Sequence, residues 1–199
     1  MSEPRSSYHH GDLRRALLDA TLEILGEHGV ESFTLREAAR RAGVNHRAVY
    51  RHFEDKTSLL VEIAAQGYRE LVARMRAAQQ DGADLEQEMH MLALAYVRFS
   101  LEQPAYFRVM NGPRLNEDGR FPDYEREVQA VFALMLAMVE RAKQEHGFEG
   151  RSDHGVMALW SAIVGLTTLI LQGRVTPPPR DVAKFTRRVL TPTIRGLLR

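Results

Sequence analysis

Apolar positions recur at spacings of three and four along nearly the whole chain, and no convincing run alternates strictly every second residue. That periodicity predicts an all-α protein of about nine helices. Leu13, Leu17, Ala20 and Ile24 form the buried stripe of a first helix, with Asp12 as its N-cap and GEHGV, Gly26 to Val30, as its close. Thr34 and Glu37 make a T-x-x-E capping box that starts a second helix at Leu35 and carries it to about Ala42, where Gly43 stops it. Asn45 caps a third helix, from His46 to about Phe53, and Lys56 to about Ala78 forms a long fourth. After DGAD, Asp81 to Asp84, the pattern gives helices over Leu85–Leu101 and Pro104–Met110, then a loop rich in Gly, Pro and Asn. Further helices follow from about Tyr124 to His146, Asp153 to Gln172 and Asp181 to Leu198, with Pro192 expected to kink or split the last. QEHGF, Gln144 to Phe148, repeats the closing phrase of the first helix, and both read as capped helix ends rather than metal ligands. Pro177 to Pro179 reads as a stiff spacer.

Two short helices joined by a glycine turn fit a helix-turn-helix, whose second helix enters the major groove of DNA. The spacing turns Ala39, Val44, Val49 and Phe53 inward and leaves His46, Arg47, Tyr50 and Arg51 on the outer face. Charge agrees locally. The chain as a whole carries only +1, so it has no general field drawing it to nucleic acid. From Ser32 to Phe53, however, Arg36, Arg40, Arg41, Arg47 and Arg51 face a single acid, Glu37. A charge run alone is usually a solvated face; joined to the capping box, turn glycine and apolar spacing it points to DNA.

Cysteine is absent, which removes disulfides, thiolate metal sites and a cysteine nucleophile. No G-x-S-x-G, P-loop, G-x-G-x-x-G or H-E-x-x-H occurs. The expectation is therefore a protein without catalytic residues, metal or cofactor. MSEPRSSYHHGD lacks the apolar core of a signal peptide, so a cytoplasmic location is expected. The charge-free stretch Gly155–Gly173 has nearly the length of a membrane span. Its internal order argues otherwise: Ser161, Gly165, Thr168 and Gln172 make a small or polar seam, while Trp160, Ile163, Leu166 and Ile170 cover much of the rest. Such a helix is central in a soluble protein or covered by a partner subunit, and no membrane partner is expected.

Gly11 to Tyr68 resembles the DNA-binding domain of TetR-family transcriptional regulators, carried by FTLREAARRAGVNHRAVYRHFEDKTSLL with YHHGDLRRALLDATLEIL ahead of it. The resemblance implies a flexible arm over residues 1–10, a helix-turn-helix domain over 11–56, a connecting helix over 57–80 and a ligand-binding and dimerisation bundle over 81–199. It implies that Thr34, Tyr50, His52 and Lys56 hold phosphates of a double-stranded operator, and that His46, Arg47 and Ala48 face bases. Arg36, Asn45 and Arg51 complete the expected DNA surface. Arg47 can donate two bonds to a guanine edge, and Ala48 can touch a thymine methyl.

The C-terminal part is similar to a TetR subgroup through QPAYFRVMNGP and a tryptophan helix, but the subgroup's His-Gly is here Val164-Gly165. No specific effector is carried over. Tyr96, Phe99, Phe107, Met110, Met135, Met138, Trp160 and Val164 are candidates to line a small-molecule effector cavity; plain core packing explains the same composition. Leu159, Ile163, Leu166, Ile170, Phe185 and Val189 are the candidate homodimer face. The resulting expectation is a homodimeric repressor released from its operator by an apolar or amphipathic ligand. An effector-independent architectural DNA binder and, further off, an enzyme with an unmarked site are the alternatives.

Overall fold

A computed structural model describes residues 10–79, 82–177 and 181–199, with side chains from residue 13 onward. Nine α-helices occur among the described residues: α1 (His10–Ser32), α2 (Leu35–Arg41), α3 (His46–Val49), α4 (Lys56–Ala77), α5 (Leu85–Glu102), α6 (Pro104–Met110), α7 (Pro122–His146), α8 (Ser152–Leu171) and α9 (Val182–Leu197). The all-α expectation holds. The proposed arm and most of the Pro177–Pro179 spacer lie outside the described residues, although His10 already belongs to α1.

The chain forms two compact units. The first comprises residues up to Ala65 together with Ala105–Phe121; the second comprises Gln66–Pro104 and Pro122–Arg199. This differs from the division expected from sequence, which put everything after residue 80 in one domain. Helix α6 and the loop behind it belong to the first unit, and α4 is shared, with its first turns in one unit and the remainder in the other.

In the first unit α1 packs on α2 and α2 on α3. Leu17, Ala20 and Ile24 are buried along α1, as their spacing requires, and Leu25, Phe33, Leu35, Ala38, Val49, Phe53 and Leu59 complete the core. Asp12 does not open α1. The helix already includes His10 and Gly11, so Asp12 lies within it. At the other end, Gly29 breaks the helical path with φ 79° and ψ 178°, and the helical turn that follows reaches Ser32.

The second unit is a bundle in which α5 lies against α7, α8 and α9, and α8 is also in contact with α7 and α9. Tyr96, Val97, Phe99, Val131, Met135, Met138, Val139, Leu159, Ile163, Leu190 and Ile194 form its core. Gly155 is required by packing: a Cβ there would come within 2.8 Å of Val139 Cγ1, so the α7–α8 approach depends on a missing side chain. Helix α7 closes as expected, with Gly147 at φ 74° and the Phe148 N–H donating to the Ala142 carbonyl at 3.3 Å.

Pro192 does not split α9, which runs unbroken from Val182 to Leu197. The proline lies on the exposed side of the helix, as does Arg188 one turn earlier, so the carbonyl deprived of its partner faces solvent. Helix α8 is long and apolar enough to cross a membrane by length and composition, as core helices of soluble bundles also are.

Gly43, between α2 and α3, has φ 68° and open space where a Cβ would stand. Its substitution is therefore strained by conformation rather than by crowding. Gly43→Ala is expected to destabilise the α2–α3 region by about 1–2 kcal/mol, read as faster hydrogen exchange of the α2 amides. Unchanged protection would show that the turn tolerates a side chain.

Candidate nucleic-acid interface

Helix α3 has only four residues, far too few to be stable alone. Its start is fixed by Asn45, whose side-chain oxygen accepts the Arg47 N–H at 2.9 Å. Beyond Val49 the expected helix becomes a tight turn rather than continuing to Phe53. His52 and Phe53 N–H both donate to the Val49 carbonyl at 2.9 Å, which brings Phe53 back onto the core. Val49 is fully buried and Phe53 nearly so, while Val44 is half-buried. These anchors aim the other side outward: His46, Arg47 and Arg51 are exposed, Tyr50 is 61% exposed, and Ala48 and His52 are half-buried.

Helix α2 is set by Thr34, whose hydroxyl accepts the Glu37 N–H at 3.2 Å. The reciprocal half of the capping box is replaced by an ion pair, because the Glu37 carboxylate takes two bonds from Arg40, at 2.9 and 2.6 Å. Between α2 and α3 lies a concavity of about 660 Å³ whose lining includes Thr34, Arg36, Asn45, His46 and Arg47. Thus the structure brings the capping residues and the predicted base-reading residues to one surface.

The positive patch is smaller than the residue count suggests. Arg41 turns back onto α1 and makes two bonds to Glu27, at 2.7 and 2.8 Å, as Arg40 does to Glu37. These pairs hold the Glu27 and Glu37 carboxyls below the usual range, chiefly through the arginine hydrogen bonds. Among the described residues, Arg36, Arg47 and Arg51 are exposed with no side-chain partner, and they carry the local charge.

Lys56 opens α4, but its ammonium donates to the Val30 carbonyl at 2.9 Å and to Glu31 at 3.4 Å, and sits 5.5 Å from the centre of the Phe33 ring. It therefore ties the end of α1 to the start of α4. Asp55 holds that start: its carboxylate accepts the Ser58 N–H at 2.7 Å, and the Ser58 hydroxyl accepts the Asp55 N–H at 3.1 Å.

Periodicity gave no sign of three further supports of this unit. Arg14 of α1 bonds Glu62 and lies 5.3 Å from the Phe53 ring centre. Arg108 of α6 donates to the Leu25 carbonyl at 2.7 Å and to that of Gly26, and Arg120 reaches Asp55 at 3.2 Å. Their partners lie 83 and 65 residues away along the chain, so no local pattern marks them.

The remaining candidates are distributed as follows. Tyr96, Phe99, Met135 and Met138 are buried in the second unit, with Trp160 and Val164 half-buried there, whereas Phe107 and Met110 lie on α6 in the first unit. The Tyr96 and Trp160 rings meet edge to face at 5.5 Å, and Phe132 lies 5.1 Å from Trp160. The candidate dimer face is partly covered within one chain. Leu159, Ile163 and Leu166 are 0%, 1% and 6% exposed within one chain, so they have almost no area left to give to a second. Ile170 and Phe185 are half-buried and Val189 is exposed. Helix α8 is rotated so that Met157, Ser161, Gly165 and Leu169 face outward, placing much of the small-residue seam outside.

A short capped helix held outward beside a second helix across a glycine turn, with unpaired arginines on its face, defines a helix-turn-helix DNA-binding protein. Residues 17–63 match the family model described as bacterial regulatory proteins of the tetR family, and residues 89–192 match the tetracyclin repressor-like C-terminal domain. The chain belongs to the TetR family of transcriptional regulators and is a DNA-binding transcriptional regulator. It is 24% identical over 162 residues to the HTH-type transcriptional regulator YobS of Bacillus subtilis, covering 80% of each chain. With BetI of Escherichia coli O45:K1 it shares 38% identity over 76 residues, 36% of this chain and 39% of BetI. In fold it is similar to a Rhodococcus sp. RHA1 protein of unknown function, with TM-score 0.77, 27% identity and coverage of 98% of this chain and 100% of that one. Bacillus subtilis FadR, solved in complex with stearoyl-CoA, gives TM-score 0.73 at 13% identity, covering 92% of this chain and 98% of FadR.

The Asp55 carboxyl is held below its ordinary value of 3.8, first by the Ser58 N–H and then by Arg120. A depressed carboxyl contributes stability that is fully present above its unfolded value and lost as pH falls through its folded value. Asp55→Asn should therefore flatten the acid limb of stability below about pH 4, measured as the thermal midpoint of the full chain against pH. An acid limb identical to that of the parent would show that Asp55 contributes nothing there.

Proposed function

We propose that the protein is a cytoplasmic homodimeric repressor that places two α3 helices in successive major grooves of a two-fold symmetric operator and is released by a small apolar or amphipathic effector. The observation that carries the DNA half of this reading is the outward set of His46, Arg47, Tyr50 and Arg51 on a helix anchored from behind by Val49 and Phe53. In this reading His46, Arg47 and Ala48 face base edges, and Thr34, Arg36, Tyr50, Arg51 and His52 hold phosphates. Lys56, already bonded to two carbonyls, keeps a further N–H donor for a phosphate. Its role is regulatory, and the chemistry it performs is recognition rather than catalysis.

The outward side of α8 supports the dimer. Met157 is 51%, Leu169 44% and Val189 of α9 43% exposed, an apolar set that a second copy would cover. Ser161 and Gly165 between Met157 and Leu169 let two α8 helices approach closely across the two-fold axis. An effector then acts by binding one arrangement of the dimer better than the other; a differential of a few kcal/mol suffices. Selection of bound fragments from genomic DNA, followed by footprinting with and without a panel of small molecules, tests the whole reading. A footprint that no ligand alters would instead support an effector-independent DNA binder.

Arg47→Ala is expected to cost about 1–3 kcal/mol at one operator position and to relax preference there; an equal loss on every sequence would restrict Arg47 to phosphate. Leu169→Glu should move the protein toward monomer in sedimentation and weaken operator binding with it. A dimer that persists unchanged would place the subunit contact elsewhere.

A further inference from the structure

A groove of about 500 Å³ runs between α5 and α9 on the second unit, lined by Gln87, His90, Met91 and Leu94 from α5 and by Ala183, Lys184 and Arg187 from α9. Its chemistry is divided. Lys184 and Arg187 are exposed cations, while Met91, Leu94 and Ala183 are half-buried and supply an apolar wall. No acid lines the groove among the described residues; Glu86, one turn from His90, bonds Arg195 at 3.1 and 3.2 Å.

His90 forms part of the groove wall, with its side chain 6% exposed. The Thr191 hydroxyl donates its proton to the Arg187 carbonyl at 2.7 Å. Its oxygen therefore accepts from His90 Nε2, 3.2 Å away, which places the imidazole proton on Nε2. Nδ1 is left as a buried lone pair with no partner among the described residues. A carboxylate would not bond that lone pair. What it would meet is a rim of two cations beside a neutral ring, since burial, reinforced by Arg187, lowers the His90 pKa. Glu86 opposes that lowering and Arg195 adds to it.

We propose that this groove binds a small amphipathic carboxylate, its anionic head between Lys184 and Arg187 and its hydrocarbon or aryl body against Met91 and Leu94. Two adjacent uncompensated cations select a single negative charge over a neutral polar group. The thioether of Met91 favours an aromatic body through contact with the ring edge. A half-open groove of this volume accommodates a molecule the size of 4-phenylbutyrate. The assignment is independent of operator recognition, because all its residues lie on α5 and α9.

The test uses the full chain, with 4-phenylbutyrate as ligand and 4-phenyl-1-butanol as its uncharged twin, and follows binding by histidine ring NMR, the His90 signal being assigned through His90→Gln. The expected result is saturable movement of the His90 resonance with the carboxylate, at least tenfold weaker binding of the alcohol, and at least tenfold weaker carboxylate binding in the Lys184→Gln/Arg187→Gln double variant. Both substituted positions are exposed, so the fold is retained. Equal affinity for acid and alcohol, full competition by inorganic phosphate at the carboxylate's own concentration, or unaltered binding by the double variant would each overturn the assignment. Operator footprinting in parallel keeps the two claims apart: loss of the NMR response with an intact footprint removes this site alone, whereas a saturable response without any footprint removes the operator reading alone.

Discussion

The outward face of α3 depends on one constraint: a helix of four residues has to be held by something other than its own hydrogen bonds. Val49 and Phe53 do this from behind, Asn45 from the front, and the return of two N–H groups to the Val49 carbonyl locks the exit. Burying two such side chains supplies about 3–6 kcal/mol before the ordering cost is counted, enough to decide the conformation of so short a segment. Everything that faces outward does so because those two face inward. The polar side chains of His46, Arg47, Tyr50 and Arg51 can then stand on the surface without disturbing the scaffold.

Charge in this unit serves two ends. Arg40 and Arg41 join α2 to itself and to α1, through pairs that are exposed enough to contribute little stability each. Their effect is to neutralise Glu37 and Glu27. The guanidinium groups of Arg36, Arg47 and Arg51 are left available, which concentrates the attraction on the face that α3 presents. A nearly neutral chain thus acquires a directional field without a large net charge.

Local signals carried most of the fold. The Thr34 and Asn45 caps, the Gly43 turn and the glycine that closes α7 were legible because each is decided within a few residues. The end of α3 was not, since Tyr50, Arg51 and His52 are all acceptable in a helix and only the pull of Phe53 onto the core bends the chain. The facing of α8 was not legible for a related reason. Apolar residues surround most of that helix, so periodicity alone does not say which side its own bundle takes; Gly155 against Val139 does, and that contact exists only in three dimensions. Among the candidate DNA-site residues, the outward facing of Arg47 and His46 was readable, whereas the bonding of Lys56 to the end of α1 and the pairing of Arg41 were not.

Helix α6 belongs with the first unit although residues 66–104 separate it from the rest of that unit, and Arg108 fastens it by two carbonyls near the end of α1. The first unit is consequently discontinuous along the chain. A fragment ending at the boundary suggested by DGAD would lack Arg108 and Arg120, and with them their bonds to the carbonyls near the end of α1 and to the Asp55 carboxylate.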